Sequence, residues 1–474
     1  MKKCLLCLLS VLFLFASGSV FAFEDSQALI KGIRPMSMGG AFTAVADDEN
    51  AFFYNPAGIM YRKGSLLQIF GIDFSVNTAI FDFANFLNDN KSDLEDFDSL
   101  NSEDQSELLK KINDQMIDLS PNVLFSLPNF AYISKPIMIS DNYLSWGAGL
   151  FTLFNANFKF NQSMIVPNFS YLAEVTAVAA IPISYRIDSL KALKMPGKLS
   201  IGTSFKYIYR GRASESNMSV VEFEDMSIPY QIGSGYGVDF GLIYHLNPRW
   251  NFGMQLTDAF YTNIEYDKYE DDDNPVKSKS AYTAGIRPEW NIGVAYFPDR
   301  IYYWSGKYFE TDKRFTFAAD LTDIANGDET LTDSFWKKLH FGVEYKLAPF
   351  ALRAGFNSGY PTVGAAVATN VVQLEYAFYG EEEGRYAGQQ PSWFHRILFS
   401  VKIGENKGRA YGKSYEKEKS KTESSDEKIE DDSDINEISS AESEKENLED
   451  IKPAEIPKDA KEIISKAAEI MEIK

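Results

Sequence analysis

The stretch "LHFGVEYKL" (residues 339–347) alternates without a break. Leu339, Phe341, Val343, Tyr345 and Leu347 fall on one face, and His340, Gly342, Glu344 and Lys346 on the other. A period of two with a continuous apolar face is the signature of a β-strand with two different surroundings. "RFTFAADLT" repeats the pattern, with Phe315, Phe317, Ala319 and Leu321 opposing Thr316, Ala318, Asp320 and Thr322. In "VVQLEYAF", Val372, Leu374, Tyr376 and Phe378 oppose Gln373, Glu375 and Ala377. Working outward, about fourteen such runs are predicted: 65–78, 122–134, 143–154, 169–186, 198–211, 233–246, 249–258, 281–297, 314–324, 337–347, 350–357, 361–369, 371–379 and 393–403. Most have about ten residues, the length a tilted strand needs to cross a bilayer. The tally is even, as bacterial outer-membrane barrels require. The expected fold is therefore all-β: a transmembrane antiparallel β-barrel of about 14 strands.

The rest of the chain is consistent with that environment. Lys2 and Lys3 followed by the apolar run Cys4–Phe15 and by Val20-Phe21-Ala22 read as a signal peptide over 1–22. Both cysteines of the chain, Cys4 and Cys7, lie in it. The exported part then has no disulfide, thiolate metal site or cysteine nucleophile, and a closed sheet must hold it. No later apolar run is long enough for a membrane helix. A formal net charge of −20 argues against nucleic acid as a partner. With the last strand running toward the periplasm, the inner turns at 246–249, 347–349 and 369–370 are short. The outer links 79–121, 155–168, 212–232, 259–280, 325–336 and 380–392 are long, the outer-membrane pattern. Residues 298–313 depart from it: either a strand is miscounted there or that link is structured.

Aromatic residues near strand ends (Trp146, Tyr207, Tyr209, Trp250, Trp290, Tyr296, Trp336, Tyr345, Tyr379 and Trp393) suit interfacial girdles. Within 88–120, Leu100, Leu108, Leu109, Ile112 and Met116 recur at helical spacing, predicting one or two helices that cap the outer mouth or offer a surface groove. After Gly404 the composition breaks. Residues 405–474 hold 13 basic and 21 acidic residues, the mark of a disordered acidic periplasmic tail. At its end "AKEIISKAAEIMEI" is either a free helix or one that docks a periplasmic partner.

A barrel of this size leaves a lumen too wide for its own side chains to fill. Residues 23–62 precede the first strand and have the composition an irregular lumenal plug needs. Gly39, Gly40 and Gly58 permit tight backbone paths, Ala41, Ala44 and Ala46 permit close approach, and Asn55-Pro56 fixes a turn. The expected organisation is signal 1–22, plug or hatch 23–62, barrel 63–404 and tail 405–474.

"RPMSMGGAFTAVADDENAFFYNPAGI" (34–59) resembles the amino-terminal hatch signature of FadL-like outer-membrane proteins, the long-chain fatty-acid transporters and their relatives. Gly39, Gly40, Ala41, Ala46, Asp47, Asp48, Asn55, Pro56 and Ala57 match it in order. "LRAGFNSGYPTVGAA", "VVQLEYAFYG" and "WFHRILFSVKI" resemble that family's closing strands, while the tail has no counterpart there. The resemblance implies a 14-stranded barrel in the outer membrane of a Gram-negative-type envelope. It also implies a lumenal hatch, passive uptake of hydrophobic small molecules such as long-chain fatty acids, and release of ligand sideways through the wall. An apolar site with one or two cations suits a fatty acid. Phe42, Phe52 and Phe53 either line such a site or pack the plug. Lys206, Arg210, Arg353 and Arg396 face the lumen by strand parity and either hold a ligand carboxylate or form lumenal ion pairs. Asp47 and Asp48 either cap backbone amides or bind a cation. No Ser-His-Asp spacing, HExxH or Gly-rich phosphate loop appears, so no catalytic residue, metal ligand or cofactor is assigned and no enzyme is expected. The expected state is a monomer in contact with outer-membrane lipid. The alternative function is a structural barrel that recruits partners through its loops and acidic tail.

Overall fold

Fourteen antiparallel walls hydrogen-bond in a closed ring. The computed structural model describes residues 23–24, 30–62, 64–95, 99–115, 119–161, 168–190, 194–219, 229–270, 278–302, 308–311, 314–325, 335–382, 388 and 390–404. The expected signal peptide, acidic tail and terminal helix lie outside them, as does Met116. In chain order the walls are β1 (Leu66–Asn77), β2 (Asn122–Ser126 and Asn129–Ile133), β3 (Asn142–Asn161), β4 (Asn168–Ile187), β5 (Lys198–Ser219), β6 (Tyr230–Asn247) and β7 (Trp250–Thr257 and Thr262–Tyr266). Then follow β8 (Tyr282–Ile286 and Glu289–Tyr296), β9 (Phe315–Leu321), β10 (Leu339–Leu347), β11 (Phe350–Asn357), β12 (Tyr360–Ala368), β13 (Val372–Glu382) and β14 (Pro391–Gly404). Each wall pairs with the next in the chain, and β1 closes the ring against β14 from Leu66↔Gly404 to Asn77↔Phe394. No described helix is long and apolar enough to cross a membrane.

The two faces of the wall invert the distribution of a soluble protein. Phe74, Leu150, Val175, Ile181, Phe205, Leu352, Leu374 and Ile397 are exposed on the outside. Lys206, Arg210, Glu344, Arg353, Glu375 and Arg396 are buried inside. Only a hydrocarbon surround makes the first set favourable, and closure lets the second set pair among themselves. Aromatic clusters mark the rims, as in Trp250 against Tyr296 (ring centroids 4.5 Å apart) and Phe315 against Tyr345 (4.5 Å). Tyr379 is the exception among the expected girdle residues: its parity points it inward, where it is buried against Phe394.

Several boundaries differ from the expectation for stated reasons. β3 and β5 run past 154 and 211, because Phe169, Tyr171 and Ala213 form an apolar cluster with Phe158, Phe160 and Met218 that keeps the β3–β4–β5 ladder paired. The link 298–313 is structured, containing the hairpin strands Arg300–Tyr302 and Tyr308–Glu310. The outer link after β1 holds α1 (Ala79–Asp89), α2 (Lys91–Glu95) and α3 (Ser102–Gln115); the latter two lie within 88–120, where one or two helices are expected, and α1 precedes them. Phe86, Leu108 and Ile112 form its buried core.

Residues 30–62 lie inside the ring. Ile33–Gly39, Ala41–Asp47 and Asn55–Met60 are buried. The segment is built from single turns: helices at Ile33–Ser37 and Ala51–Tyr54 and a 3-10 turn at Pro56–Tyr61. Gly39 and Gly40 take φ of 66° and 83° and end the first turn, a conformation that strains any residue with a side chain. Asn55 caps the last one by accepting from Ala57 N–H at 3.1 Å, with Pro56 following it.

The wall makes room for this segment by omitting side chains. Three glycine pairs face each other across adjacent walls: Gly202↔Gly241 on β5/β6, Gly253↔Gly293 on β7/β8 and Gly342↔Gly355 on β10/β11. Asn55–Ala57 rests on the first pair, Thr43–Ala44 on Gly253, and Met38–Gly39 on the third; a Cβ at any of these five supporting glycines would stand closer than 3.0 Å to the segment. Gly364 meets Ser37, and Gly147 and Gly149 meet Phe52 in the same way. Gly342→Ala should therefore destabilise the protein by about 1–3 kcal/mol through overpacking. Gly211→Ala, where nothing lies within 4 Å, should be neutral to within about 0.5 kcal/mol. Urea unfolding of the two variants in detergent checks the difference.

Candidate functional site

The lumenal segment is tied to its seat by one buried guanidinium. Arg34 meets the Glu344 carboxylate of β10 in a two-point contact, with Nε to Oε1 at 2.9 Å and Nη2 to Oε2 at 2.7 Å. Its Nη1 turns back to Asp48 Oδ2 at 2.7 Å and to Asp47. Glu344, fully buried, also receives Arg353 Nε at 3.0 Å, and Lys346 lies 3.2 Å away. Arg353 continues to Glu375. A second tie joins Lys402 of β14 to Glu49 at 2.6 Å. Fork-to-fork pairing fixes direction as well as distance. Such buried pairs contribute little net stability, but breaking one strands a charge.

Uncharged contacts complete the attachment. Asn55 Nδ2 donates to Thr43 O at 2.8 Å and reaches Leu242 O and Met254 O at 3.3 and 3.4 Å, joining the segment to β6 and β7. Asp320 of β9 accepts from Phe42 N–H and Thr43 N–H, both at 2.7 Å. His340 Nδ1 lies 2.8 Å from Gly39 O. The residues Gly39, Gly40, Asp47, Asp48, Asn55, Pro56 and Ala57 thus lie together in the turns and wall contacts of the lumenal segment. Asp47 and Asp48 are partners of Arg34, and Asp48 Oδ1 also accepts from Asn50 N–H at 2.9 Å.

The four expected ligand cations all face the lumen, and they lie apart from one another. Lys206 bridges Asp239 at 2.8 Å and Asp258 at 2.9 Å. Arg210 donates through Nε to Thr176 at 2.9 Å and stands 3.8 Å from Glu174. Arg353 is held by Glu344 and Glu375, and Arg396 by Asp73 at 2.6 Å. Each cation is already matched by wall carboxylates or hydroxyls.

The apolar candidates divide. Phe42 is fully buried, edge-on to Tyr54 and beneath Arg34 at 5.0 Å, so it packs the segment. Phe52 and Phe53 pack against Phe151 of β3, with centroids 5.4 and 4.9 Å away. Phe53, with Ile30, also touches a second apolar group made of Val178, Ile208, Ile264, Tyr266, Ala284 and Ile286. These come from inward positions on β4, β5, β7 and β8 and form an apolar seam, one of several inward apolar groups beside those at Ile133, Phe151 and Phe297 and at Tyr379, Phe394 and Leu398. The seam exists because β7 and β8 are both interrupted at one height. Asp258 and Tyr261 take positive φ, the chain breaks before Thr262, and Pro288 breaks β8 opposite. The outer piece of β7 then lies against the inner face of β6, where Gly233 and Gly235 leave space.

Strand parity places Glu344 and Gly342 on the lumenal face, yet it gives no sign of the Arg34–Glu344 tie, the seam or the glycine pads. What parity lacks is a signal for the height of each residue along the barrel axis, which decides whom it meets.

Residues 52–321 match the family model described as F plasmid transfer operon, TraF, protein. The chain belongs to that family. The match spans more than half of the chain, from the turn carrying Phe52 to the end of β9. No curated protein matches the chain. Among solved structures it is similar to the Pseudomonas putida toluene transporter TodX, at 13% identity and a TM-score of 0.43 over 81% of this chain and 100% of that one. It is also similar to the Ralstonia pickettii toluene transporter TbuX, at 11% and 0.44 over 80% and 98%, and to the monoaromatic hydrocarbon channel CymD, at 14% and 0.39 over 79% and 96%. Those TM-scores are below 0.5, and the barrel rests on its own closed ladder.

Glu344→Gln should cost about 3–5 kcal/mol, since Arg34 and Arg353 would share one neutral amide; urea unfolding reads this. The same linkage gives a pH effect. Burial alone would raise the Asp48 carboxyl, but the Arg34 guanidinium outweighs it and holds the group below its usual value of 3.8. A depressed carboxylate contributes stability that is full above its unfolded pKa and lost as pH falls through the folded one. The contribution of Asp48 to attachment of the segment should therefore be unchanged from pH 7 to about pH 5 and be lost as pH falls below about 4. Protease cleavage within 30–62 as pH is lowered checks this.

Proposed function

We propose that the protein is an outer-membrane conduit for passive uptake of hydrophobic small molecules, with residues 30–62 as its hatch. The observation that carries this reading is the apolar seam. A lumen that served only ions or polar solutes has no use for Val178, Ile208, Ile264 and Ile286 on inward faces beside the hatch. The seam begins at Phe53 on the hatch, so a shift of the hatch would open one end of it. For long-chain fatty acids, the class implied by the amino-terminal motif, Arg210 is the fitting cation. It lies two residues from Ile208 on the same face of β5 and bonds a hydroxyl and a more distant carboxylate.

A second reading is favoured by the family match, whose description names a transfer operon. In it the barrel is an interaction component, and its helical outer link and acidic tail recruit partners.

Binding of a radiolabelled long-chain fatty acid, and of a neutral aromatic hydrocarbon, to the refolded barrel separates the two. The conduit reading expects saturable binding of at least one ligand. It also expects a loss of about tenfold, equal to ~1.4 kcal/mol, in Ile208→Asp. Arg210→Gln should weaken only the acid. Absence of binding to a barrel that migrates as folded would transfer support to the interaction reading.

A further inference from the structure

The outer link after β1 carries an exposed apolar surface besides its own core. Thr78 alone separates the end of β1 from the start of α1. Its N–H donates to Trp393 O of β14 at 2.8 Å, fixing where the helix starts. The apolar residues of α1 divide between two directions. Phe83 and Phe86 turn toward Leu108, Ile112, Leu119 and Phe160 and form the core of the link. Phe81, Ala84 and Leu87 do not. Phe81 is 53% exposed and Leu87 41%, with Ala84 also exposed. Spaced by three, they lie on one flank, with Asn88 between Phe81 and Ala84 and with Asp82 and Asp89 on the other side of the helix.

The position of Phe81 identifies what this stripe meets. Its ring centroid is 6.3 Å from that of His395. His395 belongs to the outward face of β14, where its ring packs on Phe378 at 4.9 Å and its Nδ1 bonds Tyr376 hydroxyl at 2.8 Å. Phe378 stacks on Trp393 in turn. That aromatic group is the outer girdle of the bilayer-facing wall. Phe81 therefore lies outside the ring, and the exposed stripe of α1 continues the surface that faces hydrocarbon.

We propose that α1 is a membrane-surface helix, with Phe81, Ala84 and Leu87 seated among the acyl chains of the outer leaflet beside β14 and β13. The occupant is lipid, because the stripe is contiguous with a wall that lipid already covers, and the opposite side of the helix carries the carboxylates that must stay in water.

The chain beyond residue 22 has no cysteine, so single labels are clean. An environment-sensitive fluorophore is placed on Ala84→Cys or Leu87→Cys, with Ile397→Cys on the wall and Asp104→Cys on α3 as references. Each full-length variant, also carrying Cys4→Ser and Cys7→Ser, is reconstituted in phosphatidylcholine nanodiscs, with and without brominated acyl chains. Labels at 84 and 87 should emit blue-shifted, be quenched by brominated chains at least half as strongly as the label at 397, and resist iodide. Quenching by iodide at the level of 104 would overturn the proposal. So would a blue-shifted label untouched by brominated chains, which would mean a protein surface covers the stripe.

Discussion

The approach of backbone to backbone at the glycine pads is the contact on which the rest depends. A ring of fourteen walls encloses more space than its inward side chains fill, and the chain fills it with its own preceding segment. That works only where the wall is stripped to its peptide plane. Gly202 with Gly241, Gly253 with Gly293, and Gly342 with Gly355 supply flat patches at three places around the ring. The segment answers with small residues, so dispersion contacts accumulate over a surface with almost no side-chain entropy to lose. Arg34 and Lys402 then choose which of the possible seatings is adopted, since only one brings Glu344 and Glu49 to them.

The inverted wall shapes the electrostatics. Its lumenal charges cannot escape to water, so each is matched: Lys206 by two aspartates, Arg353 by two glutamates, Arg396 by Asp73. The result is a polar lattice interleaved with apolar groups, and the strip at Val178, Ile208, Ile264 and Ile286 is one of them. The interruptions at Asp258–Tyr261 and Arg287-Pro288 produce that strip, because they let the outer parts of β7 and β8 lean from the wall and turn Ile264 and Ile286 inward. A defect in the ladder and a change in the chemistry of the lumen are thus one feature.

Much of this is legible in the residues. Alternation in "LHFGVEYKL" sets the strand and the lumenal side of Glu344, and the same parity puts all four cations inside. The composition of 34–59 marks a segment made to pack against backbone. Other features are hidden for physical reasons. The extension of β3 to Asn161 depends on aromatics of β3 and β4 with Ala213 and Met218 of β5, a long-range cluster that no local window contains. The helix α1 escapes a local reading because its apolar residues serve two surfaces, which blurs the single stripe that periodicity detects. Glu344 can be placed on a face but not at a height. Its meeting with Arg34, 310 positions away, is set by the register of every ladder between them.

The closure of β1 on β14 carries a consequence for assembly. The two edges that must meet are more than 300 residues apart in the chain, so the ring is completed by the last wall to be made. The segment it encloses was made before the first. Once the ring is shut, the glycine pads touch that segment on several sides. Segment and ring therefore share one girth, and a change in the width of either has to be matched by the other.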